Sequence, residues 1–269
     1  MKIAVIKISG KTLNEFLYTD KWISVLKNLY ESFSGIVIVH GAGKNISEWS
    51  EKLGLETKFI NGQRVTTLEQ MEVVAAVQTG VINSQLTAKL NSEGFESTGL
   101  SGIDRNTFIA EYFNKDLGFV GKPELTGSAK WIIDLLKTNV IPVFSSVCRD
   151  ATGNLMNVNA DIFAETIASA IKADSVFFVS DVEGVKLNGS VKKTLKEEEI
   201  INGIVNGDIT GGMIPKLNSC MELLKKGINK IWIGSQINNF SELNKEDGNG
   251  NGTWIISTNE GEYELLRIA

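Results

Sequence analysis

Short runs of mostly β-branched residues, separated by longer amphipathic stretches, constrain this chain more than any other feature. The runs cover 3–8, 35–40, 139–145, 174–180 and 230–234, and few of them alternate with polar residues. Strands that read as continuous apolar runs are covered on both faces, and parallel neighbours need crossover helices between them. The pattern therefore predicts an α/β chain: a three-layer α/β/α sandwich around a mainly parallel sheet. Helices are expected over 13–33, 67–92, 159–172 and 212–226, where apolar residues recur at helical spacing. The stretch 95–119 mixes short β-like pieces with turn residues and predicts an antiparallel hairpin excursion. A composition shift at 172–176 divides the chain into lobes of 1–174 and 175–269. The Gly/Asn-rich segment 245–253 reads as a surface loop ahead of a last strand near 253–257.

Charge and cysteine usage narrow the function classes. A net charge of -5 argues against a partner that offers a phosphate backbone, so no nucleic acid is expected. No apolar run approaches the roughly 20 residues that span a bilayer, and the first residues lack the apolar core of a signal peptide. Cys148 and Cys220 stand apart with no CxxC or Cys/His cluster near either, as in a reduced, cytoplasmic protein. No metal-ligand cluster is expected.

Four places put glycine, lysine and polar residues at element junctions. Lys7-Ile8-Ser9-Gly10-Lys11 ends the first strand, where a lysine beside glycine meets an anion that also takes backbone N–H groups. His40-Gly41-Ala42-Gly43-Lys44 follows the second strand and precedes a helix; it has neither Walker A nor dinucleotide glycine spacing. His40, the single histidine of the chain, reads as a residue that orients this loop. Asn61-Gly62-Gln63-Arg64-Val65-Thr66 offers a guanidinium suited to a carboxylate. Asn157-Val158-Asn159-Ala160-Asp161 and Gly211-Gly212-Met213-Ile214-Pro215-Lys216 each open a helix, and Pro215 is tolerated in a first turn because its N–H is not needed there.

Taken in order, and together with Ser180-Asp181-Val182-Glu183-Gly184, these segments resemble the acetylglutamate kinases of the amino acid kinase family over nearly the whole chain. The resemblance implies a lobe for an acyl-amino acid, a lobe for ATP, and transfer of the terminal phosphate to a side-chain carboxylate. It implies that Lys7 and Lys216 stabilise the transferring phosphoryl group and that Asp161 positions both lysines. Gly10 and the Gly41, Ala42, Gly43 loop would offer backbone N–H groups; Arg64 and Asn157 would bind the α-carboxylate and the acyl region. Ser180, Asp181, Thr210, Gly211, Gly212 and Met213 would line the nucleotide side, with Mg²⁺ held mainly by the ATP phosphates. A carboxylate with a reference pKa of about 4.3 is ionised at neutral pH and needs no base before it attacks phosphorus.

Two departures bear on the substrate. The family's Gly-Gly after the first strand is Ser9-Gly10 here, and its three-glycine loop carries Ala42, whose methyl restricts φ and faces the acyl pocket. N-acetylglutamate is the expected acceptor. N-succinylglutamate, an acylated or carrier-linked aminoadipate, and a non-catalytic ligand sensor stand as alternatives. Arginine-inhibited relatives resemble one another in an extra N-terminal helix that links dimers. The first strand here starts at Lys2 or Ile3, so a homodimer without that control is expected.

Overall fold

The structure, a computed structural model, describes residues 1–60, 62–235 and 252–257. Asn61, most of the Gly/Asn-rich loop and the tail 258–269 lie outside the described residues. Eight strands form the central sheet: β1 (Ile3–Ile8), β2 (Gly35–His40), β3 (Ser97–Ser101), β4 (Ile141–Ser145), β5 (Ser175–Val179), β6 (Thr194–Lys196), β7 (Ile231–Gly234) and β8 (Gly252–Ile256). Their order across the sheet is β6-β8-β7-β5-β1-β2-β4-β3. Every neighbouring pair is parallel except β7 and β8.

Strand alternation splits the core into two layers. Ile3, Val5, Val37, Val39, Phe178 and Ile233 pack with helices Lys130–Lys137, Ala160–Ile171 and Met213–Lys225 on one face. Ala4, Ile6, Ile36, Ile38 and Trp232 pack on the other with helices Lys11–Tyr18 and Lys21–Ser32 and the long helix over 68–92. That is the expected α/β/α sandwich, with a mainly parallel sheet between two helical layers.

Several elements differ from the sequence expectation. The single helix expected over 13–33 is two, because Thr19 turns to an extended φ of -134° and Asp20 starts the second. The long helix contains a π-helical stretch, Ala75–Ile82, between α-helical Leu68–Val74 and Asn83–Ser92. Of the region read as a hairpin excursion, Ser97–Ser101 instead joins the main sheet in parallel with β4. The antiparallel pair begins later, Phe108–Tyr112 against Val120–Leu125, and belongs to a four-stranded sheet with Val147–Arg149 and Leu155–Val158. Helices Lys130–Lys137 and Glu197–Val205 were not anticipated.

Candidate active site

The carboxyl ends of β1, β2 and β5 and the N-termini of three helices meet at one edge of the sheet, where α/β proteins place their ligands. Lys7 is the fifth residue of β1 and follows Ile3 and Val5 onto the face covered by helices Ala160–Ile171 and Met213–Lys225. Asp161 lies in the first turn of one of these helices and Lys216 in the first turn of the other. The three side chains converge. Lys7 Nζ is 2.7 Å from Asp161 Oδ1, and Lys216 Nζ donates to Oδ1 at 3.1 Å and Oδ2 at 3.0 Å. Lys216 Nζ also sits 5.4 Å from the centroid of the Phe178 ring.

All three residues are less than a tenth exposed. Burial lowers the Lys7 pKa to about 8; Asp161 opposes that shift and Lys216 adds to it. Burial alone would raise the Asp161 pKa, but Lys7 and Lys216 together outweigh it and hold the carboxyl below its ordinary range. Two ammonium groups against one carboxylate leave an excess of positive charge in a poorly solvated place. Such a cluster suits an anion, and a phosphoryl group supplies one.

The helix bearing Asp161 starts where it does because Asn159 caps it, accepting from the Asp161 N–H at 2.8 Å and the Ile162 N–H at 3.4 Å. Gly41 approaches the same turn so closely that a β-carbon on it would lie 3.5 Å from the Ala160 β-carbon. Ala42 takes φ -144° and ψ 29°, away from the left-handed region that favours glycine, and its methyl is buried against the second core layer. The methyl therefore costs no backbone strain, contrary to the restriction expected from replacing glycine. Gly43 begins helix Gly43–Lys52.

Arg64 is buried and ties itself to that helix: Nη2 donates to the Gly43 carbonyl at 2.9 Å and to Ser47 Oγ at 2.6 Å. Its guanidinium lies 5.0 Å from the centroid of the Phe59 ring, and burial lowers its pKa. Asn157 Nδ2 donates to Thr66 Oγ1 at 3.0 Å, and Thr66 Oγ1 donates to the Arg64 carbonyl at 3.2 Å. The structure thus joins Gly43, Arg64, Thr66 and Asn157 in one polar chain that ends two residues before the Asn159 cap.

On the other side of Lys7, Gly10 takes φ 59°, and a β-carbon there would meet the Asp181 carboxyl at 3.9 Å. Asp181, Val185, Ile209, Thr210 and Met213 line a cleft of about 580 Å³. Gly211 takes φ 58° and Gly212 caps helix Met213–Lys225, so the positive end of that helix dipole faces this edge, while the Met213 and Ile214 N–H groups donate to the Thr210 and Gly211 carbonyls at 3.3 and 3.2 Å. Ser180 is buried, and its hydroxyl has no hydrogen-bond partner among the described residues. A groove of about 630 Å³ at the opposite end of the strands holds Lys2, Lys172, Lys226 and Lys230. It lies away from every candidate residue. Lys172 and Lys226 cap the C-termini of two helices there, where cations are favoured.

All the candidate residues thus lie along one edge, in two groups on either side of the Lys7–Asp161–Lys216 cluster. Sequence reasoning missed Asn83, Gln78 and Thr79, polar residues of the long helix that reach the same edge. The available signal was Asn83 itself, a polar residue three and seven positions before Leu86 and Leu90 on the core face.

The sequence profile of the amino acid kinase family matches residues 2–235. Acetylglutamate kinase from Endomicrobium trichonymphae is 36% identical over 243 residues, covering 90% of this chain and 96% of its own. Acetylglutamate kinase from Bacillus licheniformis is 36% identical over 260 residues, covering 96% and 98%. A crystal structure from Streptococcus mutans UA159 superposes with a TM-score of 0.79 at 28% identity, covering 94% of this chain and 98% of that one. On profile, identity and fold together, the chain belongs to the amino acid kinase family.

Proposed function

We propose that the protein transfers the terminal phosphate of ATP to the side-chain carboxylate of N-acetyl-L-glutamate, giving the acyl phosphate, a step of arginine biosynthesis. The observation that carries this reading is the buried Lys7–Asp161–Lys216 cluster, with its excess of positive charge at the carboxyl end of β1. In the reaction a carboxylate oxygen bonds to the γ-phosphorus while the bond to the β–γ bridging oxygen breaks. No covalent enzyme intermediate is required. Catalysis is then placement plus neutralisation of the charge on the transferring and leaving oxygens.

Each residue has a role in this reading. Lys7 and Lys216 neutralise the phosphoryl and leaving oxygens, and Asp161 holds both ammonium groups. Gly10, Ala42 and Gly43 offer backbone N–H groups; the Gly41 N–H, expected to do the same, donates to the Ile8 carbonyl at 3.4 Å. Arg64 and Asn157 bind the acyl-amino acid, Arg64 by exchanging its present contacts to Gly43 and Ser47 for the α-carboxylate. Ser180, Asp181, Thr210, Gly211, Gly212 and Met213 receive the nucleotide; the cleft beside Asp181 and the orphan Ser180 hydroxyl support that side. The chain then works as an acyl-amino acid lobe, 1–174, and an ATP lobe, 175–269. Mg²⁺ enters with ATP, ligated mainly by phosphate oxygens and water.

The protein acts as a homodimer in the cytoplasm in this reading. Ala76, Gly80, Ser84 and Ala88 form an exposed row of small side chains along the long helix, which supports close approach of the same helix from a second copy. Buried free thiols at Cys148 and Cys220 and the use of ATP support a reducing interior compartment. No helix among the described residues is long and apolar enough to cross a membrane.

The test is ATP-dependent acyl phosphate formation, trapped as the hydroxamate, with N-acetylglutamate, N-succinylglutamate and N-acetylaminoadipate side by side. A clear preference for N-acetylglutamate is expected. Turnover of none of the three would overturn the reading.

A further inference from the structure

The glycine loop is underpinned by buried polar side chains that the reaction itself does not use. His40, at the end of β2, is fully buried, and Asn83 of the long helix is 4% exposed. Asn83 Nδ2 lies 2.8 Å from the Val143 carbonyl, 2.9 Å from His40 Nε2 and 3.3 Å from the Leu100 carbonyl. A carbonyl oxygen only accepts, so the nitrogen of the amide, not its oxygen, faces Val143. The same NH₂ group therefore donates to His40 Nε2, which must be the unprotonated ring nitrogen. The proton then sits on Nδ1, which faces the Gly41 carbonyl at 3.4 Å. Burial lowers the His40 pKa to about 4, in keeping with a neutral ring.

Two further observations show that the site is built around this amide. A β-carbon on Gly99 of β3 would fall 2.2 Å from Asn83 Oδ1. Gly99 has no positive φ, so the glycine there serves space rather than backbone freedom. Next to it, Gln78 Nε2 donates to Ser146 Oγ at 2.7 Å, and the Thr79 and Ser145 hydroxyls meet at 2.8 Å. Gln78 and Thr79 belong to the π-helical stretch, and Asn83 follows it directly. Wide turns of this kind are uncommon and cluster at functional sites.

We propose that Asn83 is a positioning residue for phosphoryl transfer: it holds His40 as the neutral Nδ1–H tautomer, which turns the Gly41 carbonyl inward and the Ala42 N–H outward. In a trans peptide the C=O and the following N–H point in opposite directions, so anchoring one aims the other. The Ala42 N–H has no hydrogen-bond partner among the described residues, which leaves it available to an anion. This inference rests on the kinase reading above, and it names the part of the fold that keeps one of that reading's donors in place.

His40 is the only histidine, so a long-range ¹H–¹⁵N spectrum of ¹⁵N-histidine protein contains one imidazole and needs no assignment. The wild type is expected to show the neutral Nδ1–H tautomer. Asn83→Leu removes the donor, and Gly99→Ala crowds the amide without touching His40; both are expected to lose the pure tautomer. In each, kcat for hydroxamate formation should fall by about 10- to 100-fold, the scale of a misplaced reacting group, with both KM values held within about threefold. An Nε2–H tautomer or a charged ring in the wild type would overturn the inference. So would a folded variant that loses the tautomer yet keeps the wild-type kcat. If a variant fails to fold, the wild-type spectrum and the other variant still decide. An inactive wild type would instead strike at the kinase reading, and the spectrum would report on the tautomer regardless.

Discussion

Replacing Asp161 by Asn keeps the shape of the site and removes the one negative charge between two buried lysines. Its carboxylate sits 2.7 Å from Lys7 Nζ and about 3 Å from Lys216 Nζ. With an effective dielectric constant of about 20, unit charges roughly 4 Å apart attract by about 4 kcal/mol, so each lysine loses support of that order. Lys7 already has its pKa lowered to about 8 with Asp161 raising it; without that carboxylate it should be neutral at pH 7.5. A neutral Lys7 gives the phosphoryl oxygens no charge, and one lost contact of this type costs about 10²- to 10³-fold in kcat. Breaking a buried pair from one side destabilises by about 3–5 kcal/mol. At about 2–4 °C per kcal/mol for a chain near this size, Tm should fall by about 10 °C. Hydroxamate formation at saturating substrates and a thermal melt read the two effects. Asp161→Asn with more than a tenth of the wild-type kcat, or with an unchanged Tm, would refute the electrostatic account of the cluster.

Other perturbations test separate parts of the reasoning. In the proposed reaction the active form carries a protonated Lys7, so kcat/KM, which reports the free enzyme, should fall as pH rises through about 8. Stability should move the other way: between about 8 and the unfolded lysine value near 10.5 the unfolded chain binds more protons, so this group's contribution to stability rises with pH, which melts across that window would show. Arg64→Ala should raise KM for the acyl-amino acid by about tenfold and lower kcat much less, the pattern of lost ground-state binding in steady-state kinetics. Gly252→Ala would put a β-carbon 2.2 Å from the Trp232 ring. A cost of about 1–3 kcal/mol is expected in chemical denaturation, with kcat retained.

The central strands were legible because β1, β2, β4, β5 and β7 are buried on both faces and spell that burial in β-branched residues. Lys7, Asp161 and Lys216 stood out for a related reason: charges next to an apolar strand or in a helix's first turn need an explanation. Ser97–Ser101 gave no such signal. It is an edge strand with one partner, its sequence is Ser-Thr-Gly-Leu-Ser, and Gly99 is there to clear Asn83. The break at Thr19–Asp20 carries neither Gly nor Pro; Thr19 closes the first helix on the Glu15 carbonyl, and a 2.8 Å ion pair ties Asp20 to Lys89. The π-helical stretch is mostly apolar or small, so no period distinguishes it from an α-helix. Asn83, at a core-facing position, depends on partners 17, 43 and 60 positions away, and Gln78 and Thr79 on partners 68 and 66 positions away.

The chain carries a net charge of -5, yet its site is suited to polyanions, and the fold accounts for the contrast. Helices Gly43–Lys52, Ala160–Ile171 and Met213–Lys225 all begin at the carboxyl edge of the sheet, so the positive ends of their dipoles face that edge whatever the surface charge. Lys7 adds a full charge from the strand and Lys216 from a helix, in a place too dry for water to screen them. Without a counterion the two ammonium groups would repel each other. Asp161 offsets one of them, in a first turn where the helix dipole favours a carboxylate. It cannot offset both, and Asp181 adds only a weaker attraction on Lys7. One acid between two bases is therefore the smallest cluster that survives burial and still binds an anion.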